Sequence, residues 1–335
     1  MGKETAARKL AAAAVYGGTG LTALSAGLYG ILSAEARLAR TAIGHTDGRV
    51  PDASGWYGRG RPGPAIKIAL LGDSSAAGYG VATVEETPGA HLGSALAERA
   101  DRRVHLQEFA KVGAESSELD AQVEAAIRTE PDLAVILIGA NDVTHKVRPA
   151  IAVRYLGEAV RRLREAGIAV LVGTCPDLGT VQPIQQPLRT VARVWSRRLA
   201  AAQTIAVVEA GGRTVSLASI LGPEFDAAPA LFFGPDRFHP SAAGYATLAG
   251  VLVPSALAAL GLAPEDEDEP EAFRGEGVLP IGYAAVEASR TPGTELGGTE
   301  VGGQKRGQGG RWVVLMRRRR VPQPGAEAPQ AEDEI

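Results

Sequence analysis

Ile66-Lys67-Ile68-Ala69-Leu70-Leu71-Gly72-Asp73-Ser74-Ser75-Ala76-Ala77-Gly78 is the stretch whose reading decides the fold. Its first six residues are mostly apolar and too few for a stable helix, so they predict a strand buried on both faces. Glycine then breaks the strand, and small residues follow as at the start of a helix. The same grammar recurs along the chain. Val104 to Phe109, Leu133 to Ile138, Ile168 to Gly173 and Ile205 to Val208 are further short apolar runs that we expect to be strands. Pro88 to Ala100, Ser116 to Arg128, Ile151 to Ala166, Gln185 to Ala202 and Ser241 to Leu260 carry the alanine-rich, charge-dotted pattern of helices lying on a sheet. Strands that alternate with helices need crossover connections, which predicts an α/β fold in three layers, α/β/α, around a central five-stranded parallel sheet.

In such a sheet ligands bind beyond the carboxyl ends of the strands, and the polar residues fall there. Gly72 to Gly78 follows the first strand, Gly113 the second, Gly139-Ala140-Asn141-Asp142 the third, and Asp236-Arg237-Phe238-His239-Pro240 the fifth at a longer distance. Ser74, between small neighbours on a strand-to-helix turn, is the candidate nucleophile. A serine hydroxyl is weak at neutral pH and needs a base, for which His239 is the candidate, with Asp236 three residues earlier to orient the imidazole. Pro240 keeps His239 out of helical geometry and is well placed to open the last helix. Three donors are available for a developing oxyanion: the Ser74 N–H, the Gly113 N–H and the Asn141 side-chain amide. Asp142 reads as a helix cap and Cys175 as a buried small residue.

Gly72-Asp73-Ser74 with Gly78, Gly113, Gly139-x-Asn141-Asp142 and Asp236-x-x-His239-Pro240, in that order over Ile66 to Leu262, resemble the four sequence blocks of the SGNH/GDSL hydrolases, in particular actinobacterial lipases and esterases. The resemblance implies a flavodoxin-like sheet, a Ser74, Asp236, His239 triad and an oxyanion hole from Ser74, Gly113 and Asn141. It also implies a serine esterase or lipase that cleaves acyl esters through an acyl-enzyme. Carbohydrate O-acetyl esterase and thioesterase activities on the same fold, or an inactive binding module, are the alternatives. Lys111 departs from the pattern, since many members carry asparagine two residues before the block-two glycine.

Outside this core the composition changes. Residues 10–34 carry no charge, a span long enough to cross a bilayer as a helix, and Lys3, Arg8 and Lys9 precede it. We therefore expect residues 1–45 to be a membrane anchor or signal segment, 46–64 a Gly- and Pro-rich linker, 65–262 the hydrolase domain and 263–335 a disordered tail. The expected location is the cell membrane through a single-pass N-terminal anchor, with the catalytic domain outside the cytoplasm. Secretion after signal-peptide cleavage is the alternative.

A net charge of -3 argues against a general nucleic-acid binder, which needs a basic face. One cysteine excludes an internal disulfide framework, and no histidine has a second ligand at metal spacing. The expected partners are thus a small-molecule or lipid acyl ester and a membrane, with no cofactor and no metal.

Overall fold

The structure, a computed structural model, describes residues 30–38, 41 and 50–262, with short segments between 271 and 316. A six-stranded sheet organises the core. In chain order its strands are β1 (Gly55–Tyr57), β2 (Ile66–Gly72), β3 (Val104–Glu108), β4 (Leu133–Leu137), β5 (Ala169–Gly173) and β6 (Arg213–Val215). They lie in the spatial order β1-β3-β2-β4-β5-β6. The five strands from β2 to β6 are parallel, as expected, and β1 adds an antiparallel edge against β3.

The helices are α1 (residues 30–38), α2 (Ser74–Ala77), α3 (Pro88–Ala100), α4 (Leu119–Ile127), α5 (Ala140–Thr144) and α6 (Pro149–Glu165). They continue with α7 (Leu188–Glu209), α8 (Leu217–Ile220), α9 (Gly222–Ala227), α10 (Pro229–Phe232) and α11 (Ala242–Ala259). Strand side chains alternate between faces, and both faces here are dry. Ile68 and Leu70 of β2 join Leu133, Val135 and Leu137 of β4 in a core that includes Leu92 and Leu96 of α3 and Leu248 and Leu252 of α11. Ala69, Leu71, Ala134 and Ile136 point the other way, to Val123 of α4, Leu156 and Val160 of α6 and Val207 of α7. This double burial is why the strands read as unbroken apolar runs.

Three expectations change. Ile205 to Val208 is the last part of α7, and the strand there is Arg213–Val215, after the turn at Gly211 and Gly212. Helix α7 is long and its C-terminal residues pack on the sheet, so an apolar run that looks like a strand is a buried helical stripe. The stretch read as linker contributes β1 and the buried Ala53. Tyr57 lies against Gly93 of α3, where any larger residue would collide with its ring. In the region read as a disordered tail, β7 (Glu271–Ala272), β8 (Leu279–Pro280), β9 (Thr294–Val301), β10 (Gln304–Arg306) and β11 (Arg311–Met316) pair antiparallel. The apolar run of β11 has strand length. Apart from α1 and residue 41, the segment 1–45 lies outside the described residues, as does most of the region beyond 262.

Among the described residues one helix, α11, is long and apolar enough to span a bilayer. It packs in the core on β5, β6 and α3 and is largely buried there.

Candidate active site

The strand order reverses direction between β2 and β4, the switch point at which open parallel sheets form a crevice. The loops after these two strands carry Ser74 and Asn141. Gly72, at the end of β2, has φ +135°, and a side chain there would run into the Leu137 carbonyl of β4. Only glycine lets the chain turn this sharply beside its neighbour. Asp73 caps the short helix that follows by accepting from the Ser75 N–H at 2.8 Å. Ser74 thus becomes the first residue of α2, whose N–H the helix itself leaves unpaired.

His239 arrives from the loop between α10 and α11. The Gly234 N–H donates to the His239 carbonyl, and Phe233 bridges Pro240, so the loop closes on itself beside Ser74. Helix α11 starts at Ala242 with Ser241 as its N-cap, not at Pro240, because Pro240 is held in that bridge. His239 Nε2 lies 2.9 Å from Ser74 Oγ, and Nδ1 lies 2.7 Å from Asp236 Oδ2. An ionised carboxylate only accepts, so Nδ1 carries the proton and Nε2 is left to accept from the serine hydroxyl. The other Asp236 oxygen accepts the Phe238 and His239 N–H groups, both at 3.0 Å. Burial works against ionisation of Asp236. The His239 side chain, these two N–H donors and the imidazole charge outweigh it and hold the carboxyl below its ordinary value.

The block-two loop is tied to the turn that carries Ser74 through its backbone, since the Lys111 N–H donates to the Gly72 carbonyl at 3.0 Å. The Lys111 side chain turns outward to Glu118, so the departure from the family pattern leaves this tie intact. Gly113 has φ +83°, is exposed, and has open space where a side chain would be. Asn141 lies at the start of α5 and donates through Nδ2 to the Ala114 carbonyl at 2.9 Å. That bond joins its amide to the loop bearing Gly113. The structure therefore brings Ser74, Asp236 and His239 into one hydrogen-bonded line, with Gly113 and Asn141 on linked loops beside it.

Asp142 does not cap its own helix, whose N-cap is Gly139. Its buried carboxylate accepts from Ser116 N–H and Oγ, the latter at 2.8 Å, because Ser116 opens a short helical turn whose first donors lack partners. Asp142 and His145 share the spacing of Asp236 and His239, yet they part: His145 pairs with Glu115 at 2.8 Å on the surface. Cys175 is fully buried, which pushes its thiol up, and it packs in the core. No cluster of three or more metal-ligating side chains occurs among the described residues.

Several supporting residues escape sequence reading. Tyr79 lies 4.5 Å from the His239 ring, centroid to centroid, and Phe238 meets it edge-on at 4.9 Å. Gln122 accepts the Gly72 N–H at 2.8 Å and donates to the Gly72 carbonyl at 3.0 Å. Gln203 accepts from the Cys175 N–H and donates to the Ile138 carbonyl, clamping the ends of β4 and β5. Both glutamines interrupt a buried apolar stripe, at Leu119, Gln122, Val123 and at Leu199, Gln203, Val207. That interruption is the one signal the sequence carries for them.

Residues 70–247 match the model of the GDSL-like lipase/acylhydrolase family. The chain is 43% identical over 255 residues to the GDSL-like esterase Rv1075c of Mycobacterium tuberculosis, covering 72% of this chain and 80% of that protein. Among solved structures it is similar to LAE5, an α/β hydrolase enzyme from the metagenome of Lake Arreo, with a TM-score of 0.47, 20% identity and coverage of 60% and 97%. It is also similar to the lipase/acylhydrolase from Enterococcus faecalis, with a TM-score of 0.42, 24% identity and coverage of 56% and 93%.

Proposed function

Since the chain belongs to the GDSL-like lipase/acylhydrolase family, we propose that its carboxylic ester hydrolysis runs through an acyl-enzyme on Ser74, and that the enzyme is tethered to a membrane by its N-terminal segment. One observation carries the catalytic reading: the unbroken line from Ser74 Oγ through His239 to Asp236, with links of 2.9 and 2.7 Å.

Each group then has a step. His239 Nε2 takes the hydroxyl proton as Ser74 Oγ bonds to the ester carbonyl carbon. Negative charge moves to the carbonyl oxygen, where the Ser74 and Gly113 N–H groups and the Asn141 amide receive it. Asp236 stabilises the imidazolium and keeps its tautomer. The imidazolium protonates the leaving alkoxide, the carbon–oxygen bond to it breaks, and acyl-Ser74 remains. Water, deprotonated by the same imidazole, reverses the sequence and frees the acid.

Tethering is supported by the uncharged stretch 10–34 behind three basic residues. A membrane-held catalytic domain suits an acyl ester in or near the lipid phase.

The test is hydrolysis of p-nitrophenyl esters by the full chain and by Ser74→Ala. Turnover disappears in the variant while its melting transition stays within about 2 °C, since one small hydroxyl is lost. Retained turnover removes Ser74 from the nucleophile's role.

A further inference from the structure

Beside the site lies a cavity of about 300 Å³, at the lower end of the range for small-molecule pockets. Its lining includes Phe238, Val143 of α5, Leu188 and Trp195 of α7, and Leu32 and Ala36 of α1. Two lining residues neighbour the triad and the Asn141 loop: the Phe238 ring lies edge-on to His239, and Val143 is two residues beyond Asn141 on α5. The wall formed by α1 is fastened rather than loosely apposed. Glu35 of α1 accepts the Leu188 N–H at 2.9 Å, which caps the start of α7, where Pro187 at the N-cap offers no side chain to do so.

We propose that α1 is a part of the substrate site: through Leu32 and Ala36 it closes an apolar cavity that takes the hydrocarbon chain of the ester. This rests on the ester hydrolase reading above. The polar end of an ester has its partners at Ser74, Gly113 and Asn141, whereas the cavity offers almost only carbon, so an unbranched alkyl chain is the group whose chemistry fits it. Helix α1 also contains the end of the uncharged stretch 10–34, so the wall of the cavity and the proposed anchor are one continuous segment. Chain-length preference is then set partly by the N-terminal segment and not by the α/β domain alone.

The full chain is compared with Ala36→Phe, which fills the cavity, with the milder Ala36→Leu, and with Glu35→Ala, which releases the wall. The first readout is the ratio of kcat/KM for p-nitrophenyl octanoate to that for the acetate, paired with the ratio for octyl against ethyl acetate. The second, independent of turnover, is quenching of Trp195 fluorescence by bromododecanoate, with Trp195→Phe identifying its share. We expect at least one ratio to fall about tenfold in Ala36→Phe and less in the other variants, in step with lost quenching. A fall in the octanoate ratio assigns the cavity to the acyl side; a fall in the octyl ratio assigns it to the alcohol side. Unchanged ratios and unchanged quenching in all three variants overturn the proposal. Quenching that depends on residue 36, in a protein that turns over no ester, keeps the chain site and removes the ester hydrolase reading. Turnover without Trp195 quenching and without any effect at residue 36 does the reverse.

Discussion

At the scale of single residues, two side chains near Ser74 make separable predictions. Asn141 spends one amide hydrogen on the Ala114 carbonyl, and in the proposed mechanism the second serves the oxyanion, so Asn141→Ala should remove a donor that matters most in the transition state. We expect kcat to fall about a hundredfold or more with little change in KM, read from steady-state kinetics on a p-nitrophenyl ester. A rise in KM with kcat unchanged would instead make Asn141 a ground-state contact. Asp73 is the opposite kind of case. Burial pushes its carboxyl up to about 6, against the Ser75 hydrogen bonds and the His239 charge that favour ionisation. Between about pH 4 and 6 the unfolded chain has released this proton while the folded protein still holds it, so the contribution of Asp73 to stability declines as pH rises through that window. Asp73→Asn keeps a cap for the Ser75 N–H and removes the buried charge. Its unfolding free energy should gain on the native protein between pH 4 and 6 and hold that gain above it, with a plateau on the order of 3 kcal/mol; parallel curves would show that the charge costs nothing. Ser74, His239 and Asp236 stood out in the sequence because few residue types suit this chemistry, but the sequence did not show that Asp236 and His239 come from the loop after α10 and not from a strand end. Tyr79 and Phe238 did not stand out, since an aromatic ring in a loop declares nothing about which ring it will meet.

Elements position these residues through buried polar clamps on the ends of β2, β4 and β5. Gln122 of α4 bonds both backbone groups of Gly72, one residue before the cap of the turn that carries Ser74. Gln122→Ala strands the Gly72 N–H in a dry environment while the carbonyl keeps the Lys111 N–H, which should cost about 2 kcal/mol in chemical denaturation and also lower kcat as the turn loosens. Full stability in this variant would mean that water replaces the amide. Most strands and helices were visible from periodicity because the sheet is apolar on both faces. The exceptions have physical causes. Ile205 to Val208 packs equally well as a helical stripe, and β6 has only Val215 as a clear apolar residue. Strand β1 is three residues long at an edge, where pairing with β3 holds it more than its own composition does.

On the scale of the whole molecule, the proposed tether predicts that the full chain, made with its N-terminal segment, remains with membranes after carbonate extraction. Release into the supernatant would remove the anchor from the proposal. The α/β class, the parallel core and the residues worth testing as a site were determined by the sequence itself, because burial on both faces and the needs of acyl transfer constrain residue type directly. Distances were decided only in three dimensions. That His239 meets Ser74 across 165 residues, that Asp142 serves Ser116 and not its own helix, and that α1 closes an apolar cavity beside Phe238 all depend on loops and helix ends. Such contacts follow from how packed elements bring remote segments together, and no local pattern of residues encodes the partner at the far end.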